Sequence, residues 1–130
     1  MNCFVKHPSE EIIVVGYEDR HIRLFDTRTG IPTPNTWTQL TILGDCISSF
    51  IAHLDAVSSL AISPNGTTLL SGAHDSSVRF WDLSDKTCLQ EALPPHRPRG
   101  DEGVLAVAWG DDEIAGSAGA DGIVKLYVEV

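Results

Sequence analysis

The chain has 130 residues, 42% of them hydrophobic and 21% charged, the make-up of one modest globular domain. Acidic residues outnumber basic ones by 18 to 9, for a net charge of −9, which disfavours general binding to a nucleic-acid backbone. No apolar run approaches the length of a bilayer span. The opening "MNCFVKHPSEE" lacks the charged lead and apolar core of a secretory signal, and nothing at the C-terminus reads as a lipid attachment site.

In chain order, "NCFVKHP" (2–8) reads as a short strand ending in a turn, "EIIVVG" (11–16) as a second strand, and "DRHIRLFD" (19–26) as a turn feeding a third. "GIPTPNTWTQLTILGD", Gly30 to Asp45, follows. Its prolines Pro32 and Pro34 argue against strand, so it is expected to be a loop insertion. "CISSFIAH" (46–53) is a fourth strand ending in His53. The order then recurs as "VSSLAISPNG" (57–66), "TTLLSG" (67–72), "DSSVRFWD" (75–82) and "TCLQEALPPH" (87–96), the last ending in His96. Asn65-Gly66-Thr67 matches a glycosylation pattern but reads better as a turn, because Asn-Gly favours positive φ. After the loop "RPRGDEG" (97–103) come "VLAVAWGDD" (104–112), "EIAGSA" (113–118) and "DGIVKLYV" (121–128). That makes eleven expected strands, three sets of a, b and c with two outer d strands, and no useful stretch with helical spacing.

The units share a register. Asp19, Asp75 and Asp121 each sit in the b–c turn, with a basic residue four positions on (Arg23, Arg79, Lys125) and an aromatic six positions on (Phe25, Trp81, Tyr127). A four-stranded propeller blade repeats every ~40–45 residues, and the insertion accounts for the longer first spacing. The expected fold is all-β: about three four-stranded blades of a larger β-propeller ring. Blade 1 covers about residues 1–52 with the insertion at 30–45, blade 2 about 53–93 and blade 3 about 94–130.

The aspartate turn is expected to organise a buried brace. In the second unit His53, Ser71, Asp75 and Trp81 should meet. Asp75 would accept from the histidine ring and backbone amides, Ser71 would link to the histidine, and the Trp81 indole would donate to Ser71. The third unit has His96, Ser117 and Asp121, but Tyr127 replaces tryptophan, so a partial brace is expected. The first retains only Asp19, with Val15 and Phe25 at the serine and tryptophan positions. Ser, His and Asp together invite a hydrolase reading, but no serine sits in G-x-S-x-G and the tryptophan partner points to a structural role. The five histidines lack H-x-x-x-H spacing and the cysteines Cys3, Cys46 and Cys88 form no C-x-x-C pair. "GSAGADG" lacks phosphate-loop spacing and a following helix. No catalytic residue, cofactor site or metal site is therefore expected. Three unpaired thiols suit the cytosol.

"EDRHIRLFD", "AHLDAVSSLAISPNG", "SGAHDSSVRFWDL", "KTCLQE" and "SAGADGIVKLYV" together resemble the C-terminal WD-repeat blades of the striatin family. The resemblance covers nearly the whole chain apart from residues 30–45 and 97–103. It implies a seven-bladed propeller in a non-catalytic scaffold that joins protein phosphatase 2A to kinases and adaptors. The implied location is cytoplasmic, or peripheral on endomembranes through partners. The caveolin-binding segment, coiled coil and calmodulin-binding region of striatins have no counterpart in these residues. The third unit has no d strand before Val130; in the family that strand comes from the propeller's N-terminus. The chain is thus expected to be the C-terminal end of a propeller whose remaining blades lie elsewhere. The d–a and b–c loops form the docking face in this family, which nominates Tyr17, Glu18, Asp55, His74, Arg97 and Arg99 as partner-binding candidates. "FDTR" (25–28) supports an alternative, a WD-repeat substrate receptor of a cullin-RING ubiquitin ligase, although phenylalanine stands where tryptophan is usual.

Overall fold

Short apolar runs broken by Pro, Gly, Asn and Asp have one economical solution, which is antiparallel strands joined by tight turns. A computed structural model of the chain, described for residues 2–26, 46–93, 95–111 and 114–128, has this form. The first sheet orders β1 (Cys3–Lys6), β2 (Ile12–Gly16), β3 (His21–Asp26) and β4 (Cys46–Ile51) side by side. The second orders β5 (Val57–Ile62), β6 (Thr68–Ala73), β7 (Val78–Asp82) and β8 (Thr87–Glu91) in the same way. The third has β9 (Val104–Trp109), β10 (Ile114–Gly119) and β11 (Val124–Val128). Every neighbouring pair is antiparallel. This is the expected all-β partial propeller, with the expected eleven strands among the described residues. The expected insertion at 30–45 lies outside those residues, as do Thr27 and Arg28 of "FDTR".

The three b–c turns solve one backbone problem in two ways. The residue after each aspartate has positive φ: 73° at Arg20, 71° at Ser76 and 77° at Gly122. Only glycine enters that region without steric cost. In each turn the preceding aspartate accepts the backbone N–H two positions ahead, at His21 (3.1 Å), Ser77 (2.9 Å) and Ile123 (3.1 Å). That bond closes the turn on itself and offsets the strain at Arg20 and Ser76.

The core lies between the sheets. Val14, Ile22 and Leu24 of the first sheet pack against Val57, Leu60, Leu69 and Trp81 of the second. Leu70 and Val78 pack against Val104, Val107 and Ala115 of the third. Leu69 and Leu70 are adjacent on β6 and so point to opposite faces, one into each cluster. The middle sheet is therefore buried on both sides, which explains the adjacent leucines in "TTLLSG". Phe50 lies 4.9 Å from Trp81 across the first interface, and Phe80 meets Trp109 and Tyr127 edge-on across the second. Direct hydrogen bonds add register. The Asn2 side-chain amide donates to the Val57 carbonyl at 3.1 Å, the Ser58 hydroxyl to the Val104 carbonyl at 2.5 Å, and the Val107 N–H to Ser59 at 3.0 Å.

Candidate functional site

In the second sheet five side chains form one directional relay. The Asp75 carboxylate can only accept, so the Ser77 hydroxyl, 2.5 Å away, donates to it. The Ser77 oxygen then accepts from Nδ1–H of His53 at 2.6 Å, which fixes the tautomer. Nε2 of His53 accepts from the Ser71 hydroxyl at 2.7 Å, and the Ser71 oxygen takes the Trp81 indole N–H at 2.8 Å. Asp75 also accepts the Leu54 N–H at 2.9 Å. Each link leaves the next with the complementary role, so no buried polar atom of the relay is stranded.

This corrects the expected brace in one respect. His53 Nδ1 stands 3.5 Å from the nearer Asp75 oxygen, and Ser77 is interposed. Sequence reading missed Ser77, although a hydroxyl two positions after a turn aspartate was the available signal.

The third sheet differs in the other direction. His96 Nδ1–H reaches Asp121 directly, at 3.1 and 3.2 Å from its two oxygens, because Ile123 stands where Ser77 does. The closer approach needs glycine at 119: a Cβ there would fall onto His96 Nδ1 and within 2.6 Å of Asp121 Oδ1. The second sheet, with its interposed hydroxyl, carries Ala73 at the matching position. Nε2 of His96 accepts from Ser117 at 2.7 Å, and the Tyr127 hydroxyl lies 2.8 Å from the Ser117 oxygen. The expectation of a merely partial brace here is corrected. The tyrosine O–H reaches the serine and takes the part of the indole N–H. In the first sheet the partners of Asp19 among the described residues are local, the His21 N–H and imidazole and the Arg23 guanidinium at 2.8 Å, as the missing serine and tryptophan imply.

These settings move the carboxyl groups. Burial opposes the Asp75 charge, but the His53 imidazole 3.5 Å away, the Ser77 hydroxyl and the Leu54 and Ser77 amides together hold its pKa far below the usual range. The Arg97 N–H, against the cost of burial and together with the Ile123 N–H and His96, holds Asp121 at about 2. A carboxyl depressed in the folded state contributes stability that is complete above its unfolded pKa of about 4 and is lost as pH falls through the folded value. Chemical denaturation should therefore show stability falling between about pH 4 and 2. The gap between wild type and Asp121→Asn should narrow across that window. A gap that stays constant down to pH 2 would contradict this assignment.

A second histidine was also missed as a structural element. His7 is buried, accepts the Ser9 and Glu10 N–H groups on Nδ1 at 3.2 and 2.9 Å, and donates from Nε2 to the Gly66 carbonyl at 2.9 Å. It closes its own a–b turn and clamps it to the matching turn of the second sheet. The signal was the parallel between "HPSE" and "SPNG", which places His7 where the turn residue Ser63 stands.

The loop face opposite these a–b turns gathers some of the partner-binding candidates and not others. Glu18, Asp55 and His74 line one cleft of about 540 Å³ with Asn2, Ser58 and Leu105. Both carboxylates are exposed, and His74 Nδ1 is shielded from solvent without a hydrogen-bond partner among the described residues. Tyr17 is outside this lining. Its ring lies under the Arg23 guanidinium at 4.4 Å, and its carbonyl accepts the Val57 N–H of the next sheet at 3.2 Å, so it acts as a joint between sheets. Arg97 contributes its backbone N–H to Asp121 at 3.0 Å while its side chain is exposed. Arg99 pairs through its backbone with Glu102 in a small separate hairpin.

Residues 44–82, ending at Asp82 beside Trp81, match the family model described as WD domain, G-beta repeat. Over 129 residues, 98% of its length, the chain is 42% identical to Striatin-3 of Homo sapiens. It is 40% identical over the same span to Striatin-4 and to Striatin of Homo sapiens. The chain spans 14% of the first of these relatives and 15% of the other two.

Proposed function

The chain belongs to the striatin family of WD-repeat proteins, and from that premise we propose that it is a non-catalytic docking segment that receives a cationic stretch of a partner protein. The observation that carries this reading is the division between its polar groups. The Ser-His-Asp constellations are buried and already committed to one another, with Ser71 0% and His53 1% exposed. No substrate carbonyl can approach a serine in that position. The groups left for a partner are on the loop face, where Glu18 and Asp55 open onto a cleft in a chain of net charge −9. We extend the reading to the assembly implied by the family, in which the partners are phosphatase 2A subunits, kinases and their adaptors, in the cytoplasm or on endomembranes reached through them. The matched relatives give no support to the cullin-RING alternative.

Affinity purification on the tagged chain, with mass spectrometry, tests this. Glu18→Lys with Asp55→Lys should reduce recovery of phosphatase and kinase components. Arg97→Glu with Arg99→Glu should weaken only partners that also touch the 97–103 loop. Neither pair should change stability by more than ~0.5 kcal/mol, the usual limit for exposed substitutions. Recovery of a ubiquitin-ligase adaptor in place of phosphatase subunits would overturn the reading.

A further inference from the structure

The cleft on the loop face draws its lining from all three units, so its walls are interfaces internal to the chain. Asn2 and Glu18 belong to the first, Asp55, Ala56, Ser58 and His74 to the second, and Leu105 to the third. The hydrogen-bond donors of this lining are largely spent inward. The Asn2 side-chain amide donates to the Val57 carbonyl, the Ser58 hydroxyl to the Val104 carbonyl, the Ala56 N–H to the Asp55 carboxylate at 2.7 Å and the His74 N–H to the Ala56 carbonyl at 3.0 Å. Acceptors remain open. The exposed Glu18 carboxylate has no partner among the described residues, and Asp55 commits one oxygen to the neighbouring N–H. His74 adds a nitrogen, Nδ1, that is shut from water and lacks a partner. Among the described residues no lysine or arginine lines the cleft.

We propose that this cleft is an arginine socket: it takes the guanidinium of one arginine in an extended segment of a partner protein, in preference to lysine. This rests on the docking reading above and deepens it by naming the side chain that the two carboxylates receive. A guanidinium carries five N–H donors in a planar fork and no acceptor, which suits a lining rich in acceptors and poor in free donors. Glu18 and Asp55 stand on different sheets, so donors spread over a fork serve both, whereas an ammonium gathers its three at one point. A His74 ring protonated on Nε2 leaves Nδ1 as a further acceptor, and a bound N–H satisfies a nitrogen that solvent does not reach. The arginine stem has Leu105, 49% exposed, to cover. Leu54, beside Asp55, is 77% exposed yet held by its N–H on Asp75, and offers a fixed seat to an apolar neighbour of the arginine. An acidic segment is refused, because its oxygens would face carboxylates and find few donors.

Amide NMR of the full chain, titrated with the peptide acetyl-Gly-Gly-Arg-Gly-Gly-amide, should show saturable shifts at Glu18, Leu54, Asp55, Ala56 and His74. The same peptide with lysine should bind about tenfold more weakly. With citrulline, which keeps the shape and loses the charge, it should not saturate. Glu18→Gln with Asp55→Asn should weaken arginine binding by about tenfold or more and bring it level with lysine. The amides of the buried relay should keep their positions in that variant, which reports an intact fold. Equal affinity for the arginine and lysine peptides would overturn the proposal and leave the docking reading standing, as would saturable shifts confined to residues outside the cleft. Binding of neither peptide would also overturn it. The docking reading falls with it only if recovery of partners from cells survives Glu18→Lys with Asp55→Lys.

Discussion

Asp75→Ala is expected to destabilise the chain by about 3 kcal/mol. The Ser77 hydroxyl and N–H both lose their acceptor, at ~1–3 kcal/mol for each buried donor left unsatisfied, while the Leu54 N–H at the surface can turn to water. The loss should propagate, because Ser77 freed of Asp75 no longer has a fixed role toward His53 Nδ1. Ser77→Ala should therefore reproduce part of the effect, and the two changes should be less than additive, as members of one network are. Asp19→Ala should cost much less, since its partners Arg23 and the His21 N–H are open to solvent. Urea denaturation of the three variants measures this. Equal losses at positions 19 and 75 would remove the case for a buried relay.

Gly72→Ala is expected to be comparably damaging for a different reason. An added Cβ would lie 2.5 Å from Val104 Cγ1, 3.0 Å from Val104 Cβ and 3.1 Å from Val107 Cγ1. Val104 is fully buried on the first strand of the next sheet, so the sheets must part, at ~1–3 kcal/mol for overpacking. Gly110→Ala is the control, as its nearest neighbour would be an oxygen at 3.5 Å. Val104→Ala makes room for the new methyl, so the double variant should be more stable than the sum of the two changes predicts, by ~1 kcal/mol. Additive losses in thermal or urea unfolding would show that the contact does not set the separation of the sheets. Gly16 stands in the same relation to Val57, with both nearest atoms at 2.7 Å or less counting Cys3 Sγ, so the device is used at both interfaces.

Much of the candidate site was legible because it is periodic. The aspartate turn, the strand-c aromatic and the histidine ahead of strand a recur at fixed offsets, and turn chemistry and side-chain alternation convert those offsets into position. The cleft was less legible. Glu18, Asp55 and His74 come from three separate loops, and nothing in their spacing separates them from Tyr17 or Arg97, which are held by Arg23 and Asp121 respectively.

The sequence by itself determined the number and order of strands, the antiparallel pairing within each sheet and the membership of His53, Ser71, Asp75 and Trp81 in one network. These follow from local rules: alternation decides which face a side chain takes, and Asp, Asn, Gly and Pro decide where the chain turns. Only the tertiary structure decided how the network is wired. Whether a hydroxyl fits between His53 and Asp75, or Tyr127 reaches Ser117, depends on separations of a few tenths of an ångström between strands distant in the chain. Those separations are set by how closely the backbones pack, with Ala73 at the second turn and Gly119 at the third. The clamp from His7 to Gly66 likewise exists only once two turns 59 residues apart are stacked by the burial of Val14, Ile22 and Leu69 between their sheets.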